Sequence, residues 1–360
     1  MTRRIWLLVP FILVVGGVSG QVQEDQLPED LPHVRVVATG GTIAGRAQSA
    51  EAGAGYRSGS LPIEDLLVDL PGLDRMAEVS AEQFSNLPST GVTPEQWLGL
   101  AQRVNTIFAE GVDGKAVDGV VVTHGTDALE ETAYFLDLTV ASDKPVVVVG
   151  AMRPPGTVSA DGPINLIHAI QAAAADDSRG RGTLIVLNEE VHDARDATKT
   201  HTRSVQTFQS RSWGPLGRVG REGVTYHRRS EKRQGADLEF DVSTKSIEDL
   251  PRVDILYSYN GADGAGAQAF VDAGAAGLVI AGSGGGGTSR ELGETLRELA
   301  EAGTWLVRTS RVGSGSAGSW GRGTFVGGDD LLAQKAHILL MVALMHTSEA
   351  EEIQRIFREY

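Results

Sequence analysis

Apolar residues along this chain follow two periods. Continuous Val/Ile/Leu-rich runs occupy 119–123, 145–149 and 183–187, and a shorter one 34–38. Such runs suit strands of a parallel sheet buried on both faces. Between them the spacing turns helical. Over 93–109, Trp97, Leu98, Leu100, Ala101, Val104 and Phe108 share one face, Thr93 stands where a cap is needed and Pro94 at the first helical position. The alternation returns further on, with strands predicted at 253–257, 277–281 and 304–309 and helices at 265–273, 289–302 and 331–345. Residues 227–250 lack apolar periodicity and cluster charge, which reads as a linker. The expected architecture is α/β: a large N-terminal domain over 32–226 with a mostly parallel sheet flanked by helices, then a smaller C-terminal flavodoxin-like α/β domain over 251–360.

The first residues follow another pattern. Arg3 and Arg4 precede an apolar run over 5–15 and small residues over 16–20, the order of a secretory signal peptide. The run is short for a membrane span. Residues 21–31 then read as a polar, flexible lead, so the expectation is an exported protein, periplasmic or secreted, with no stable membrane association after processing.

Composition narrows the chemistry. With 32 basic and 47 acidic residues the net charge is −15, a surface that repels nucleic acid. The absence of cysteine excludes thiol nucleophiles, disulfides and cysteine-ligated metals. The eight histidines form no H-x-x-x-H or H-x-x-H pair, so a zinc hydrolase finds no support. Forty-five glycines without a collagen period fit many tight strand-to-helix turns.

Two of those turns carry threonines. The first strand runs into Thr39-Gly40-Gly41-Thr42, where the glycines allow a sharp turn that presents the Thr42 hydroxyl at the sheet edge. A nucleophile, a helix cap and a phosphate cradle all fit that spacing, although no G-x-G-x-x-G or Walker lysine is present. The second run ends in Thr123-His124-Gly125-Thr126-Asp127 and opens a helix. Thr126 or Asp127 with Glu130 would make a capping arrangement. A hydroxyl beside a carboxylate also suits proton transfer and recognition of an ammonium group. Lys199, in the polar loop after 183–187, reads as solvated, or as a base if it is partly desolvated beside Thr126. Gly150 to Pro154 and Ser159 to Leu166 read first as structural punctuation.

Together, the 38–45 and 123–133 segments, Gly150 to Pro154, Ser159 to Leu166 and the 196–200 loop resemble the bacterial-type L-asparaginases, especially the exported type II enzymes, over about residues 31–360. The resemblance implies hydrolysis of the side-chain amide of L-asparagine, without cofactor or metal, through a β-aspartyl ester. Thr42 matches the nucleophile and Tyr56 the lid tyrosine. Thr126, Lys199 and Asp127 match the second threonine, its lysine partner and the carboxylate that holds the substrate's α-ammonium. Ser89 matches the residue that binds the α-carboxylate, with Thr90 beside it, and backbone N–H groups near Thr126 and Ala151 would face the oxyanion. A homotetramer, a dimer of dimers, is implied as well. The chain departs from the type II pattern at Thr90, Gly91, Gly261 and the short segment 311–320. A dual-specificity glutaminase-asparaginase is therefore the alternative, and a non-catalytic periplasmic amino-acid-binding protein a more distant one.

Overall fold

Eight strands of the computed structural model form one sheet, in the order Gly223–Tyr226, Gly217–Gly220, Glu190–Asp193, Thr183–Leu187, Val146–Val149, Gly119–Thr123, His33–Gly40, Glu78–Leu87. The structure describes residues 30–47, 55–68, 70–318 and 321–360, so the signal peptide expected at 1–20 lies outside the described residues. The last five strands in that order are mutually parallel and the first three are antiparallel additions.

Alternate residues of the parallel strands fill two cores. Val37, Val120, Val122, Val146 and Val148 face the helices Pro94–Glu110 and Leu129–Thr139, where Trp97, Val104, Phe135 and Leu136 are buried. Val34, Val36, Val121, Val147 and Val149 face the helix Gly162–Ala174 through Leu166, Ala169 and Ile170. Each fully buried Val or Leu contributes roughly 1.5–3 kcal/mol. Helix Pro94–Glu110 starts where the spacing predicts, and the Gln96 side chain accepts the Thr93 backbone N–H at 2.9 Å.

The second sheet is parallel and runs in chain order: Val253–Tyr257, Gly277–Gly282, Trp305–Ser310, Phe325–Gly327. Ala265–Asp272 and Arg290–Glu301 pack one face through Ala267, Leu292, Leu296 and Leu299. Ala333–His346 covers the other, and its Ile338, Leu339 and Val342 merge with the core beneath Leu129–Thr139. The fold is thus a mixed α/β protein with a large, mostly parallel sheet flanked by helices and a smaller parallel C-terminal sheet. Among the described residues no helix is long and apolar enough to cross a membrane.

The path of the chain fixes where a ligand can bind. From His33–Gly40 it moves outward to Glu78–Leu87, then returns across the first strand to Gly119–Thr123. Strand order therefore reverses at the first strand, and the crevice beyond its carboxyl end is the natural binding position in an open α/β sheet.

Candidate active site

Ala38 pairs with Thr123, and Thr123 with Val149, so three neighbouring strands end side by side. Their turns carry Thr42, Thr126 and Ala151 in that order. The first two turns touch: a Cβ on Gly41 would lie 2.2 Å from the Gly125 nitrogen, and Gly41 has φ +82°. Only glycine permits that approach. The Gly41 N–H donates to the Leu87 carbonyl at 3.0 Å, which ties the turn to the end of the outer strand as well.

Thr42 is buried, and the Gly45 N–H donates to its carbonyl at 2.9 Å. No helix starts there. The turn leads to the short strand Arg46–Ala47, antiparallel to Tyr56–Arg57, so the cap reading of Thr42 has no helix to serve. The Tyr56 backbone lies in that hairpin; its side chain lies outside the described residues.

Thr126 is buried, while Asp127 keeps 65 % of its side chain exposed. Lys199, with 15 % of its side chain exposed, donates from Nζ to Thr126 Oγ1 at 2.8 Å and to Asp127 Oδ1 at 2.6 Å. The lysine is therefore not the solvated loop residue that its sequence setting also allowed. Capping does not explain the pair either: the N-cap of Leu129–Thr139 is Ala128, without a side-chain cap bond. Glu130 instead takes the Lys199 backbone N–H on its carboxylate at 2.9 Å.

A fully buried imidazole fixes the second turn. His124 Nδ1 lies 2.8 Å from the Gly125 carbonyl, and Nε2 lies 2.9 Å from Thr132 Oγ1, which also accepts from Trp97 Nε1 at 2.9 Å. Burial lowers its pKa to about 4, so the ring is neutral at pH 7. A carbonyl can only accept. The single proton must then be on Nδ1, with the Thr132 hydroxyl donating to Nε2.

The third turn is held by Asp161 and Asn165. Asp161 accepts the N–H of Met152 at 3.1 Å and of Arg153 at 2.8 Å, and the Asn165 amide bridges Asp161 and the Gly150 carbonyl, both at 3.1 Å. Ala151 is fully buried at its centre. Ser89, also buried, packs on Gly125: a Cβ added to that glycine would lie 2.9 Å from the Ser89 Cβ. Thr90 beside it is exposed.

Of the sequence-selected residues, the structure joins Thr126, Asp127 and Lys199 by direct contact and brings Ser89 and the turn of Thr42 against Gly125. In the C-terminal part, Gly261 is open-sided at φ +82°, and Asp263 is engaged locally, accepting the Ala265 N–H at 3.1 Å. Sequence reasoning missed three contacts around the second turn: the His124 ring between Gly125 and Thr132, the Glu130 carboxylate on the Lys199 N–H, and the buried Lys335, whose Nζ donates to the Glu130 carbonyl at 2.7 Å. Lys335 did leave a signal, a lysine in the first turn of the otherwise mostly apolar helix AQKAHILLMVALMH. Among the described residues no cluster of three or more His, Cys, Asp or Glu is arranged to hold a metal.

Residues 33–232 match the family model "Asparaginase, N-terminal", and residues 252–357 match "Glutaminase/Asparaginase C-terminal domain". The chain is 44% identical over 338 residues to L-asparaginase 2 of Escherichia coli (strain K12), covering 92% of this chain and 94% of that protein. It is 40% identical to the glutaminase-asparaginase of Pseudomonas fluorescens biotype A over 356 residues, covering 97% and 96%. The crystal structure of the probable cytoplasmic L-asparaginase from Campylobacter jejuni superposes with a TM-score of 0.86 at 40% identity, covering 91% of this chain and 100% of that one.

Proposed function

We propose a reaction from one premise: this chain belongs to the asparaginase family, whose N-terminal and C-terminal models it matches in order. The reaction is hydrolysis of the side-chain amide of L-asparagine to L-aspartate and ammonia. One observation carries the reading: Lys199 Nζ lies 2.8 Å from Thr126 Oγ1 and 2.6 Å from Asp127, on a turn whose Gly125 abuts Gly41, the neighbour of Thr42.

In this reading Thr42 Oγ attacks the amide carbon, and its proton is delivered to the nitrogen, which leaves as ammonia. A β-aspartyl ester on Thr42 remains. Water then attacks that ester, Thr126 and Lys199 relay its proton, and aspartate departs as the Thr42 hydroxyl is restored. Backbone N–H groups near Thr126 and Ala151 steady the oxyanion in both steps. The exposed edge of Asp127 takes the substrate's α-ammonium and Ser89 its α-carboxylate, which selects an amino acid. The family resemblance assigns Tyr56 the role of lid tyrosine and Thr90 a place beside the substrate. A non-catalytic amino-acid-binding protein would need the carboxylate but not a lysine-bound threonine beside a second one.

The test is ammonia release from L-asparagine, D-asparagine and L-glutamine by the purified protein, with Thr42→Ala and Thr126→Ala alongside. L-Asparagine is expected to turn over fastest. Each variant should lose on the order of 10³-fold or more in kcat with an unchanged circular dichroism spectrum. Near-normal turnover by Thr42→Ala contradicts the reading. Equal turnover of L-glutamine would assign the broader glutaminase-asparaginase function, which the Pseudomonas fluorescens relative favours. The same proposal includes export directed by residues 1–20 and assembly as a homotetramer, measurable by N-terminal sequencing of the secreted form and by light scattering.

A further inference from the structure

Glu130 stands where the two halves of the relay are tied together. Its Oε2 accepts the backbone N–H of Lys199 at 2.9 Å, and its Oε1 accepts the side-chain amide of Gln334 at 2.8 Å. Its backbone carbonyl accepts from Lys335 Nζ at 2.7 Å, and the same ammonium donates to the carbonyl of Ala194, on the segment that leads to Lys199. Glu130 and Lys335 are both buried. Gln334 and Lys335 open the helix Ala333–His346, which also packs beneath the small C-terminal sheet.

These contacts bridge segments far apart in sequence. Thr126 and Asp127 precede the helix that carries Glu130, whereas Lys199 sits on the strand Ala197–Lys199. A lysine side chain has many rotamers, so the position of its Nζ depends on where its backbone is anchored. A shift of about 1 Å in a reacting group costs on the order of 10²-fold in rate.

We propose that Glu130, gripped by Gln334 and braced by Lys335, is a positioning residue that sets the register of Lys199 against Thr126, making the helix Ala333–His346 a working part of the relay. The inference rests on the reading of Thr126 and Lys199 given above. Glu130 touches neither substrate nor reacting atoms. Its effect passes through the Lys199 backbone, and it should therefore appear in kcat and in the pH profile of kcat, with little change in KM.

The experiment measures kcat and KM for L-asparagine across pH in the full chain and in Glu130→Ala, Glu130→Gln and Gln334→Leu, with Lys199→Met as reference. Glu130→Ala is expected to lower kcat about tenfold or more, to displace the kcat pH profile and to leave KM within about threefold. Glu130→Gln should keep kcat within about threefold, because its amide oxygen still accepts the Lys199 N–H and its NH₂ faces the oxygen of a turned Gln334 amide. Gln334→Leu should fall between the two. Wild-type kcat and pH profile in folded Glu130→Ala, while Lys199→Met is impaired, would overturn the inference and leave the relay standing. Equal losses in the Ala and Gln variants would overturn it too. If Glu130→Ala does not fold, wild-type behaviour of Gln334→Leu overturns it. Failure of the relay itself would show differently, as wild-type kcat in Lys199→Met.

Discussion

A methyl group at position 41 would meet the Gly125 nitrogen at 2.2 Å and its Cα at 2.4 Å, where both neighbours are backbone and neither can rotate away. Gly41→Ala must therefore part the two threonine-bearing turns. The substitution also places a side chain at φ +82°. We expect a loss of about 2–4 kcal/mol in urea unfolding and of order 10²-fold in kcat/KM. Gly223→Ala is the control, since it has φ +97° but nothing within 4 Å of the added carbon, so only the backbone penalty of about 1 kcal/mol applies and activity should persist. Full activity in Gly41→Ala would mean that the contact between the turns is dispensable. At this scale the sequence was readable where a residue type has few uses. Gly40-Gly41-Thr42 after a strand announces a constrained turn, and the hydroxyl of Thr126 beside Asp127 announces a polar pair, which Lys199 Nζ contacts at both members. Glu130 was open to a different reading, because an acid three residues after Asp127 is common in capping, and its real partners come from residues 199, 334 and 335. No local pattern encodes those contacts.

The turns are steadied by helices, and the second turn depends on a neutral ring. His124 bridges the Gly125 carbonyl and the Thr132 hydroxyl on helix Leu129–Thr139, and burial lowers its pKa to about 4. Its folded pKa lies below the value of about 6.5 expected when unfolded, so between these values the unfolded chain binds more protons. Stability drawn from the neutral ring is thus present above pH 6.5 and lost as pH falls towards 4. His168, His337 and His346 are lowered in the same direction by burial, and buried Asp137 is raised by burial and by Asp193, which acts in the opposite sense. A variant comparison isolates one group. The stability of the wild type relative to His124→Asn should fall by about 2.5 kcal/mol between pH 7.5 and 4.5. Urea unfolding at the two pH values measures it, and a pH-independent difference would mean that the ring is not held neutral. Asp161 does for the Gly150–Arg153 turn what His124 does for Gly125, by accepting backbone N–H groups at the base of helix Gly162–Ala174.

Across the whole molecule, strands buried on both faces and strongly periodic helices were legible, because their spacing records two-sided burial. The outer strand Glu78–Leu87 was not, since at the sheet edge its residues are only partly buried and the apolar signal fades. The closing helix Ala350–Glu359 was missed as well, although Ile353, Ile356 and Phe357 mark a clear buried face. In the charged stretch 227–250, Phe240 and Val242 reach the core, and the Phe240 ring packs 4.8 Å from that of Tyr360 at the chain's end. Leu238, which packs beside them, alternates with Glu239 and Asp241 to give a period of two, but three positions are too short a run to stand out from the charge around them. The spacing of apolar residues does not show the meeting of segments near residues 42, 89, 126, 151 and 199, which the reversal of strand order gathers beyond the carboxyl ends of neighbouring strands; only the motif resemblance pointed to it. In the proposed reaction this meeting makes Thr42 the attacking group while Thr126 serves Lys199. Peptide mapping by mass spectrometry of enzyme acid-quenched during turnover of L-asparagine distinguishes the two threonines. The prediction is an aspartyl ester on the peptide containing Thr42, absent from Thr42→Ala and present in Thr126→Ala. An ester on Thr126 or on any other residue, or its persistence in Thr42→Ala, is incompatible with Thr42 as the nucleophile.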